Sequence, residues 1–591
     1  MKLGQALALI QQRQGTSRKR KIFLVCGFQP LHLSTFLQGH FAQRFHDETV
    51  EIQMGLYGDF ERTLLKAAES EAESAVVVIE WSDLDPRLGC RASGGWGPSA
   101  EQDIILNCRN RFAAFLPRLE DLASKMSVAL ALSTLPIPLF GHTSGWQMSL
   151  PEAELERQIG EFAVAAARLQ NVRVVHSARL AKLSPEEDRL DATMEVRAGF
   201  PYTLGHASAL ALQFIHLLYP ASPMKGLISD LDETLWSGIV GEVGASHVTW
   251  SLPEHSQVHG LYQQQLKQLS EMGILLAIAT KNDAAVVEDA LGRQDLYISR
   301  DAFFPVIANW KPKSAGVAEI LRTWNIGAES VVYVDDAPME LEEVHTAFPS
   351  MRCLQFPTNS PTKALHLLEQ LRDLFGRSTL SQDDTLRQSS IRANARFREV
   401  ASQTSPDEFI RGLQAKLTFQ TQKDASNTRL LELINKTNQF NLNGVRISEG
   451  EWLRFLSDAS TFGVGVRYED KFGPMGVISV IAGRQTGRQL DVQTWVLSCR
   501  AFSRNIELHI LDYLFRSRAV EKITLAFKPT ERNHPLQEFL ISLNLPADSD
   551  GECCIMREEF LRFGYDLPHK IITAEEKNVE DTGHDRVVKL R

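Results

Sequence analysis

Short apolar runs alternate with longer stretches of helical periodicity along the first part of the chain. Before residue 222, the runs that read as β-strands are 22–26, 75–79, 128–132 and 172–175. The helical stretches between them include 100–127 and 152–169. Strands that alternate with helices are typical of βαβ units, so this pattern predicts a parallel α/β sheet over residues 1–221.

The same alternation continues over residues 222–377, where the strand-like runs are 226–229, 275–279, 304–307 and 331–334. It predicts a second α/β domain. Residues 378–404 are charged, polar and helix-prone, and we interpret them as a linker helix.

The pattern changes after the linker. Residues 405–572 begin with strand-like runs, at 417–420, 462–468, 476–482 and 491–497. A helix is expected to start near residue 505. This order predicts an antiparallel α+β domain. The charged segment 573–591 lacks aromatic residues and is expected to be disordered.

The overall composition disfavours several classes of protein. A net charge of -10 and a pI near 5.9 argue against nucleic acid as a partner, and we interpret the basic run 18–21 as a solvated strand entrance. The seven cysteines are scattered and odd in number, so we expect a cytoplasmic protein without a disulfide framework. No uninterrupted apolar run reaches about 18 residues, so no membrane association is expected.

Two carboxylates follow the first strand-like run of the second domain. Asp230 comes directly after 226–229, and Asp232 is two residues further along. An α/β sheet presents its ligands at the carboxyl ends of its strands. Asp230 could therefore attack a phosphoryl group while Asp232 protonates the leaving oxygen and later activates water. Taken alone, the same spacing also occurs in surface turns and calcium loops.

Further polar residues follow the other strand-like runs of this domain. Thr280, Lys281 and Asn282 place a hydroxyl and amides where they could bind phosphate oxygens. Lys313 can neutralise phosphate charge, and Lys311 is the alternative. The domain therefore offers both a nucleophile and a phosphate-binding loop.

The acid pair Asp335 and Asp336 adds two carboxylates at another strand end. Carboxylates from two strand ends suit Mg²⁺, which takes oxygen ligands. The order Asp-x-Asp-x-Thr, then Thr, then Lys, then Asp-Asp resembles the four-motif pattern of the haloacid-dehalogenase superfamily.

This resemblance implies a role for each matching residue. Asp230 would be the nucleophile, Asp232 the acid and base, and Thr280 and Lys313 the phosphate-binding groups. The Mg²⁺ ligands would be Asp230, the backbone carbonyl of Asp232, Asp335 and Asp336. We expect the substrate to be contacted by Thr234, Trp236, Lys281 and Asn282.

The segment between Asp230 and Thr280 is too short for a sizeable cap domain. We therefore expect a Rossmann-like domain of the haloacid-dehalogenase type with a minimal cap. Such a site would be open to bulky substrates, including a group tethered to a protein, or would need a neighbouring domain as its lid.

Four further motifs narrow the resemblance to the FkbH-like family. The first motif continues with Trp236-x-Gly238 and Glu242-x-Gly244, and the third domain contains Asn-Lys-Thr-Asn-Gln-Phe-Asn-Leu at 435–442. It also contains Asp-Lys-Phe-Gly at 470–473 and Leu-Ser-Cys-Arg at 497–500. The resemblance extends over residues 20–565.

Membership of this family implies a specific reaction. FkbH-like proteins take a glyceryl unit from D-1,3-bisphosphoglycerate, remove phosphate, and load the unit onto the phosphopantetheine thiol of an acyl carrier protein for polyketide-type biosynthesis. A cysteine is thought to hold the acyl group before transfer, and Cys499 is the candidate because it lies in a family motif. Ordinary packing on the strand-like run 491–497 is the alternative role for Cys499.

The third domain also resembles the GNAT-type acyltransferase fold. Residues 500–505 lack the glycines of that fold's pyrophosphate loop, which disfavours coenzyme A. A phosphopantetheine arm is less demanding, and Arg500 and Arg504 could contact its phosphate. Asn438 and Asn441 either orient the acyl group or satisfy a turn.

The first domain looks like a degenerate SGNH-type hydrolase. That type needs a Gly-Asp-Ser nucleophile near the first strand, where this chain has Cys26-Gly27-Phe28. His206 is either a remnant of the triad or a structural residue. We interpret the domain as a docking or dimer-contact unit with a flavodoxin-like or SGNH-like sheet.

Two other functions remain open from the sequence. One is a phosphatase that acts on a small molecule. The other is a scaffold that binds a carrier protein while its phosphatase site is idle.

Overall fold

The computed structural model describes residues 1–12, 18–92, 97–136, 143–377, 386, 388–393, 410–421, 429–502, 504–545 and 553–572. Most of the predicted linker helix and the whole predicted tail, 573–591, lie outside the described residues. Residues 388–393, within the predicted linker, are helical. The boundaries of the five predicted segments stay predictions.

The described residues form two compact units. Unit 1 contains Met1–Ala221 and a short inserted segment, Ile447–Asp458. Unit 2 contains the described residues of Ser222–Arg446 and Ala459–Arg591. Unit 1 is therefore built from two segments that are far apart in the sequence.

The sheet of unit 1 is parallel throughout, as predicted. Its strands are β1 (Arg18–Val25), β2 (Glu48–Met54), β3 (Ser74–Ile79), β4 (Ser127–Leu132) and β5 (Val172–Val174). Their order, β2-β1-β3-β4-β5, is the flavodoxin-like order of a doubly wound fold. The sequence pattern missed β2, an edge strand in which polar and apolar residues alternate.

Helices cover both faces of this sheet, which explains the continuous apolar runs in its central strands. In β3, Ala75 and Val77 pack into one core and Val76 and Val78 into the other. The α-helices of unit 1 are Leu3–Gln12, Leu31–Arg44, Phe60–Glu69, Trp81–Leu84, Glu101–Lys125, Leu150–Arg168, Ser177–Leu183, Ala192–Ala198, Leu204–Leu218 and Glu449–Ser457.

The first sheet of unit 2 is also parallel and carries the predicted motifs. Its strands are β6 (Gly226–Ser229), β7 (Leu275–Thr280), β8 (Phe303–Ala308), β9 (Val331–Asp335) and β10 (Arg352–Gln355), in the order β10-β9-β6-β7-β8. β6 is central and begins at Gly226, where a Cβ atom would lie 2.5 Å from the Trp324 ring. Glycine therefore allows Trp324 to pack against the start of the strand.

The helices around this sheet leave no room for a cap domain. They are Val240–Val243, Gln257–Glu271, Ala284–Leu291, Lys313–Trp324, Pro338–Ala347 and Pro361–Phe375. Between β6 and the helix Gln257–Glu271 there is only one short helix, Val240–Val243, and a bridge between Ser237 and Thr249. The described region 143–377 contains this whole domain, so the predicted minimal cap is confirmed.

The second sheet of unit 2 is mixed rather than purely antiparallel. Its strands are β11 (Lys416–Thr421), β12 (Phe440–Asn441), β13 (Thr461–Asp470), β14 (Gly473–Thr486), β15 (Gln489–Leu497), β16 (Lys522–Leu525), β17 (Cys553–Met556) and β18 (Lys570–Ile572). The order is β17-β16-β15-β14-β13-β11-β18, and the pairs β15–β16 and β11–β18 are parallel. The helices beside it are Arg429–Lys436, Ile506–Ser517, His534–Ser542 and Arg557–Arg562.

β15 changes partner along its length. Its first half pairs with β16 up to Val492, whereas Val496 and Leu497 pair with β12. The short strand β12 thus occupies the edge of β15 that β16 leaves open.

Among the described residues, no helix has the length and apolar character needed to cross a membrane.

Candidate active site

Four of the predicted catalytic residues, Asp230, Asp232, Thr280 and Lys313, meet at one edge of the parallel sheet of unit 2. Asp230 follows β6, Thr280 ends β7 and Asp335 ends β9, and β6 lies between the other two strands. Because the strands are parallel, their carboxyl ends face the same side. The fold therefore collects the four motifs into one site.

Three carboxylates form a compact cluster at this edge. Asp230, Asp335 and Asp336 each offer an oxygen atom, and these atoms all lie within 4.8 Å of one another. The side chains of Asp230 and Asp335 are buried, and that of Asp336 is half-buried. Negative charge is thus concentrated where little water can screen it.

Lys313 partly balances this charge. It is the first residue of the helix Lys313–Trp324, and its Nζ atom lies 2.7 Å from Asp230 Oδ1 and 2.9 Å from Asp335 Oδ2. Burial lowers the pKa of Lys313, but the two carboxylates outweigh this effect and leave the pKa raised. Lys313 is therefore a buried ammonium ion beside Asp230, while Lys311 is exposed.

The carboxylates remain hard to ionise together despite Lys313. Burial raises the pKa of Asp230 to about 7, and Asp335 reinforces the effect while Lys313 opposes it. Burial and the nearby Asp335 also raise the pKa of Asp336 to about 6. A carboxylate oxygen has two lone pairs, so Asp230 Oδ1 keeps capacity for another ligand beside the Lys313 ammonium. These residues fit a hard divalent cation, which would neutralise the excess charge.

Asp232 is fixed by three hydrogen-bond donors. Its Oδ1 atom accepts from Trp236 Nε1 at 2.9 Å and from the backbone N–H of Val240 at 3.0 Å. Its Oδ2 atom accepts from Asn282 Nδ2 at 2.8 Å. The side chain is half-buried, so it is oriented without being sealed from a substrate.

The loop after β7, which is predicted to bind phosphate, is tied to Asp232 and to the helix Pro338–Ala347. Asn282 Nδ2 also donates to Thr280 Oγ1 at 3.0 Å, and both side chains are buried. Lys281 pairs with Glu340 at 2.7 Å and remains partly exposed. Asn282 thus serves first to hold Asp232 and Thr280 in place.

The side chains of Thr234 and Trp236 are buried, and the substrate contacts predicted for them stay predictions. Both side chains have no exposed surface, and Trp236 packs into the hydrophobic core of this domain. The indole N–H of Trp236 points at Asp232, which makes Trp236 a positioning residue. The sequence motif indicated that these residues belong to the site but not which way they face.

Three supporting residues were missed. The Tyr333 hydroxyl donates to Asp335 Oδ2, while Tyr262 donates to Ser229 Oγ at 3.1 Å and Ser229 donates to the Asp230 carbonyl at 2.7 Å. Tyr333 lies two residues before Asp335 on β9, and side chains two apart on a strand share a face. That periodicity could have identified Tyr333.

Cys499 lies far from the carboxylate cluster. Together with Asn438 and Arg500 it lines a cavity that Lys225 and Leu275 also line, at the amino ends of β6 and β7. Five residues of extended chain separate Lys225 from Asp230, which is roughly 16 Å at about 3.3 Å per residue. The two groups of predicted residues therefore lie at opposite edges of one sheet.

Arg504 and Asn441 are buried and hydrogen-bonded within the fold, and the substrate contacts predicted for them stay predictions. Arg504 is buried, donates to the Arg500 carbonyl at 3.0 Å and lies 3.5 Å from Asp470. Asn441 is buried and donates to the Thr437 carbonyl at 3.1 Å, while its Oδ1 atom accepts from backbone N–H groups of the following turn. For Asn441, these hydrogen bonds agree with the turn interpretation.

His206 of unit 1 is enclosed in a satisfied polar network. Its ring nitrogens lie 3.0 Å from the hydroxyls of Thr134 and Ser184, and its side chain is buried. Thr134 and Tyr202 donate to the buried carboxylate of Glu80. With its partners supplied from inside the fold, His206 has a structural role.

No protein-family model and no curated protein matches this chain. Its fold is similar to that of a solved structure, the N-terminal part of the protein BF1531 from Bacteroides fragilis, which contains a phosphatase domain and is complexed with Mg. The two share 18% sequence identity, with a TM-score of 0.50, over 64% of this chain and 100% of the other. The two proteins therefore share the multi-domain α/β fold over the matched region.

Proposed function

We propose that this chain is a Mg²⁺-dependent phosphatase of the haloacid-dehalogenase type, with Asp230 as its nucleophile. The observation that carries the proposal is the cluster of Asp230, Asp335 and Asp336 around the buried ammonium of Lys313. The similar fold of the Mg-complexed phosphatase domain of BF1531 supports it.

The first step breaks the ester bond to phosphorus. A carboxylate oxygen of Asp230 attacks the phosphorus atom, and the bond between phosphorus and the leaving oxygen breaks. Asp232, protonated at this stage, gives its proton to the leaving oxygen. Lys313 offsets the charge on Asp230 and, through it, on the phosphoryl group.

The second step restores the enzyme. Asp232, now ionised, takes a proton from water, and the water oxygen attacks the phosphorus of the aspartyl-phosphate. Phosphate leaves, and Asp230 returns as a carboxylate. When bound by Asp230, Asp335 and Asp336, Mg²⁺ would supply positive charge that stabilises the phosphoryl oxygens.

We propose further that the substrate is a phosphorylated three-carbon acyl group, derived from D-1,3-bisphosphoglycerate and destined for a carrier-protein thiol. Such a donor has two phosphates with different fates. If Asp230 attacked the acyl phosphate, a free carboxylate would be released and the acyl group could no longer be transferred. Asp230 must therefore act on the phosphate ester at the other end.

Acyl transfer then requires a different nucleophile. A thiolate of Cys499 would attack the acyl carbon, so that the carbon–oxygen bond breaks and phosphate leaves with its bonding electrons. The phosphopantetheine thiolate of a carrier protein would next displace Cys499 from the thioester. The separation between Cys499 and Asp230 agrees with two reactions at two places, linked by a mobile arm.

The phosphatase proposal is tested with p-nitrophenyl phosphate and Mg²⁺. Asp230→Asn removes the nucleophile, so hydrolysis should fall by at least about a thousandfold, whereas Asp289→Asn on an exposed helix position should leave the rate unchanged. Excess EDTA should stop the wild-type reaction. Hydrolysis at the wild-type rate in Asp230→Asn would show that Asp230 is not the nucleophile.

The transfer proposal is tested by intact-mass measurement of a phosphopantetheinylated carrier after incubation with D-1,3-bisphosphoglycerate. The wild type should load a glyceryl group, whereas Asp230→Asn should load an acyl group that is heavier by one phosphoryl group. Cys499→Ser should load nothing but still hydrolyse p-nitrophenyl phosphate. Phosphate release without any acylation of the carrier would contradict the transfer proposal and leave the phosphatase proposal standing.

A further inference from the structure

A cavity of about 310 Å³ opens in unit 1 at the carboxyl ends of β1 and β2. Its wall is formed by the ends of these two strands, by the loops that follow them and by the first turn of the helix Leu31–Arg44. In an α/β sheet of this kind, ligands bind outside the carboxyl ends of the strands. We call this space the unit 1 cavity.

Apolar side chains predominate in the wall. They include Phe28, Leu31, Met54, Leu56 and Tyr57, and none of the described residues that line the cavity is charged. The last four of these side chains are 43–52% exposed. Single exposed apolar side chains are common on protein surfaces, but several around one concavity are typical of a binding site.

Two uncharged polar side chains also line the cavity. They belong to Gln29 and Ser34, and both are half-buried. The Ser34 hydroxyl donates to the Leu31 carbonyl at 2.7 Å and keeps a lone pair that can accept. The Gln29 backbone N–H donates to the Gly199 carbonyl at 2.8 Å, whereas its side-chain amide has no partner within the described part of the chain. The wall therefore offers hydrogen bonds to one polar group of a ligand.

Hydrogen bonds hold the two loops of the wall in shape. The Gly58 N–H donates to the Gly27 carbonyl at 2.9 Å, which joins the loop after β2 to the loop after β1. The Leu56 N–H donates to the Thr63 hydroxyl at 3.0 Å. Small-molecule sites are usually formed before their ligand arrives, so a fixed apolar concavity with a few polar groups suits a small ligand.

The volume and the chemistry of the wall limit the ligand. An engineered apolar cavity of about 150 Å³ binds benzene, so 310 Å³ offers space for on the order of a dozen non-hydrogen atoms. Because none of the described wall residues is a cation, a carboxylate or phosphate would lose hydration without gaining a charged partner. An uncharged molecule with a short apolar body and one hydroxyl or amide group fits both limits.

We propose that the unit 1 cavity binds an uncharged small molecule of this kind, such as a medium-chain alcohol. Its apolar body would lie against Met54, Leu56 and Tyr57, and its polar group would meet Gln29 or Ser34. The site goes beyond the phosphatase function proposed above and does not depend on it, because the cavity shares no residue with the carboxylate cluster.

The methyl group of Met54 reports binding directly. The full chain, with isotope-labelled methionine methyl groups, is titrated with 1-octanol and observed by NMR, and the variants Met54→Leu and Met148→Leu assign two signals. The Met54 signal should shift and saturate with a Kd below about 1 mM. Met148 lies outside the wall and is similarly exposed, at 58% against 52% for Met54, so its signal should not shift. Absence of a saturable shift at Met54 would overturn the proposal.

Octanoate tests the preference for an uncharged ligand. It has the same chain length as 1-octanol but carries a carboxylate, so it should bind at least about tenfold more weakly in the same titration. Equal affinity for the two probes would contradict the proposed chemistry of the ligand.

Filling the cavity tests where the probe binds. Ser34→Phe adds a ring to the wall and should weaken binding of 1-octanol at least about tenfold. Ser124→Phe is the matched control, because the Ser124 hydroxyl also donates to the carbonyl three residues earlier, at 2.7 Å, but at an exposed helix position. Undiminished binding in folded Ser34→Phe would contradict the proposed site. If this variant does not fold, the Met54 and Met148 signals of the wild type decide the proposal.

Discussion

Three hydrogen bonds orient Asp232, the residue proposed to act as acid and base. Trp236 and Asn282 donate side-chain N–H groups to it, and Val240 donates a backbone N–H. Because Trp236 has no exposed surface, any effect of changing it must act through Asp232 or through packing.

Trp236→Phe separates these two effects. It keeps an aromatic ring but removes the indole N–H, so kcat should fall by about tenfold with little change in KM. The pH profile should shift as well, because the carboxylate loses a donor. Trp146→Phe, at a fully exposed position, is the control. An unchanged kcat and pH profile in Trp236→Phe would exclude the positioning role.

The carboxylate cluster couples metal binding to pH. The pKa values of Asp230 and Asp336 are raised in the folded protein, to about 7 and about 6, so without metal these groups destabilise the fold as pH rises from about 4 to about 7. A divalent cation needs the ionised carboxylates and reverses this cost.

Mg²⁺ should therefore raise Tm more at about pH 8 than at about pH 5. At a hundredfold excess over Kd the added stability is about 2.7 kcal/mol at the higher pH. Thermal unfolding with Mg²⁺ or with NaCl of equal ionic strength measures the difference. An identical shift at both pH values would show that these carboxylates are not the ligands.

At the level of elements, β6 positions the nucleophile, and its packing begins at Gly226. A Cβ atom there would lie 2.5 Å from the Trp324 ring, which is fully buried. The contact is between strand backbone and a rigid side chain, so the strand has little freedom to move away.

Gly226→Ala should therefore destabilise unit 2 by about 1–3 kcal/mol. The matched change Gly160→Ala, in the helix Leu150–Arg168, meets nothing within 4 Å and should stabilise by about 0.5–1 kcal/mol. Denaturant unfolding of both variants measures the two changes in the free energy of unfolding. A neutral Gly226→Ala would mean that Trp324 can move aside.

The position of a strand within its sheet explains whether the sequence pattern could predict it. Buried central strands such as β3 and β7 form continuous apolar runs, because helices cover both faces. The edge strands β2 and β10 have mixed exposure, so periodicity alone missed them. The sequence pattern therefore located the site residues that follow central strands, such as Asp230 after β6 and Thr280 at the end of β7.

Side-chain direction was the limit of prediction within the site. The spacing of Asp230, Thr280 and Asp335 placed them at one edge, because parallel strands share a direction. Nothing in the spacing shows that Trp236 faces inward or that Cys499 meets the opposite edge of the sheet. Both facts depend on contacts between segments distant in the sequence.

At the scale of the whole molecule, unit 1 depends on an inserted helix. Arg20 is buried and pairs with Glu48 at 2.7 Å, Glu73 at 3.2 Å and Glu451 at 2.5 Å, and Glu451 belongs to the helix Glu449–Ser457. Arg18, Lys19 and Lys21 also pair with carboxylates. The basic run is therefore an ion-pair network, a correction of the solvated strand entrance expected from sequence.

Loosening this helix should affect unit 1 and spare the phosphatase. Trp452 is buried on the helix, so Trp452→Ala should cost about 3–5 kcal/mol and increase proteolytic cleavage within residues 1–221. Hydrolysis of p-nitrophenyl phosphate should stay at the wild-type rate. Trp146→Ala is the exposed control. Unchanged cleavage in Trp452→Ala would show that unit 1 is stable without the helix.

Trapping the covalent intermediate tests the nucleophilic role of Asp230 most directly. Asp232→Asn cannot activate water, but p-nitrophenyl phosphate needs no acid to release its leaving group, so the phosphoryl group should accumulate on the enzyme. After acid quench, peptide mass spectrometry should find it on Asp230. A phosphoryl group on another residue, or none during continued turnover, would contradict this account.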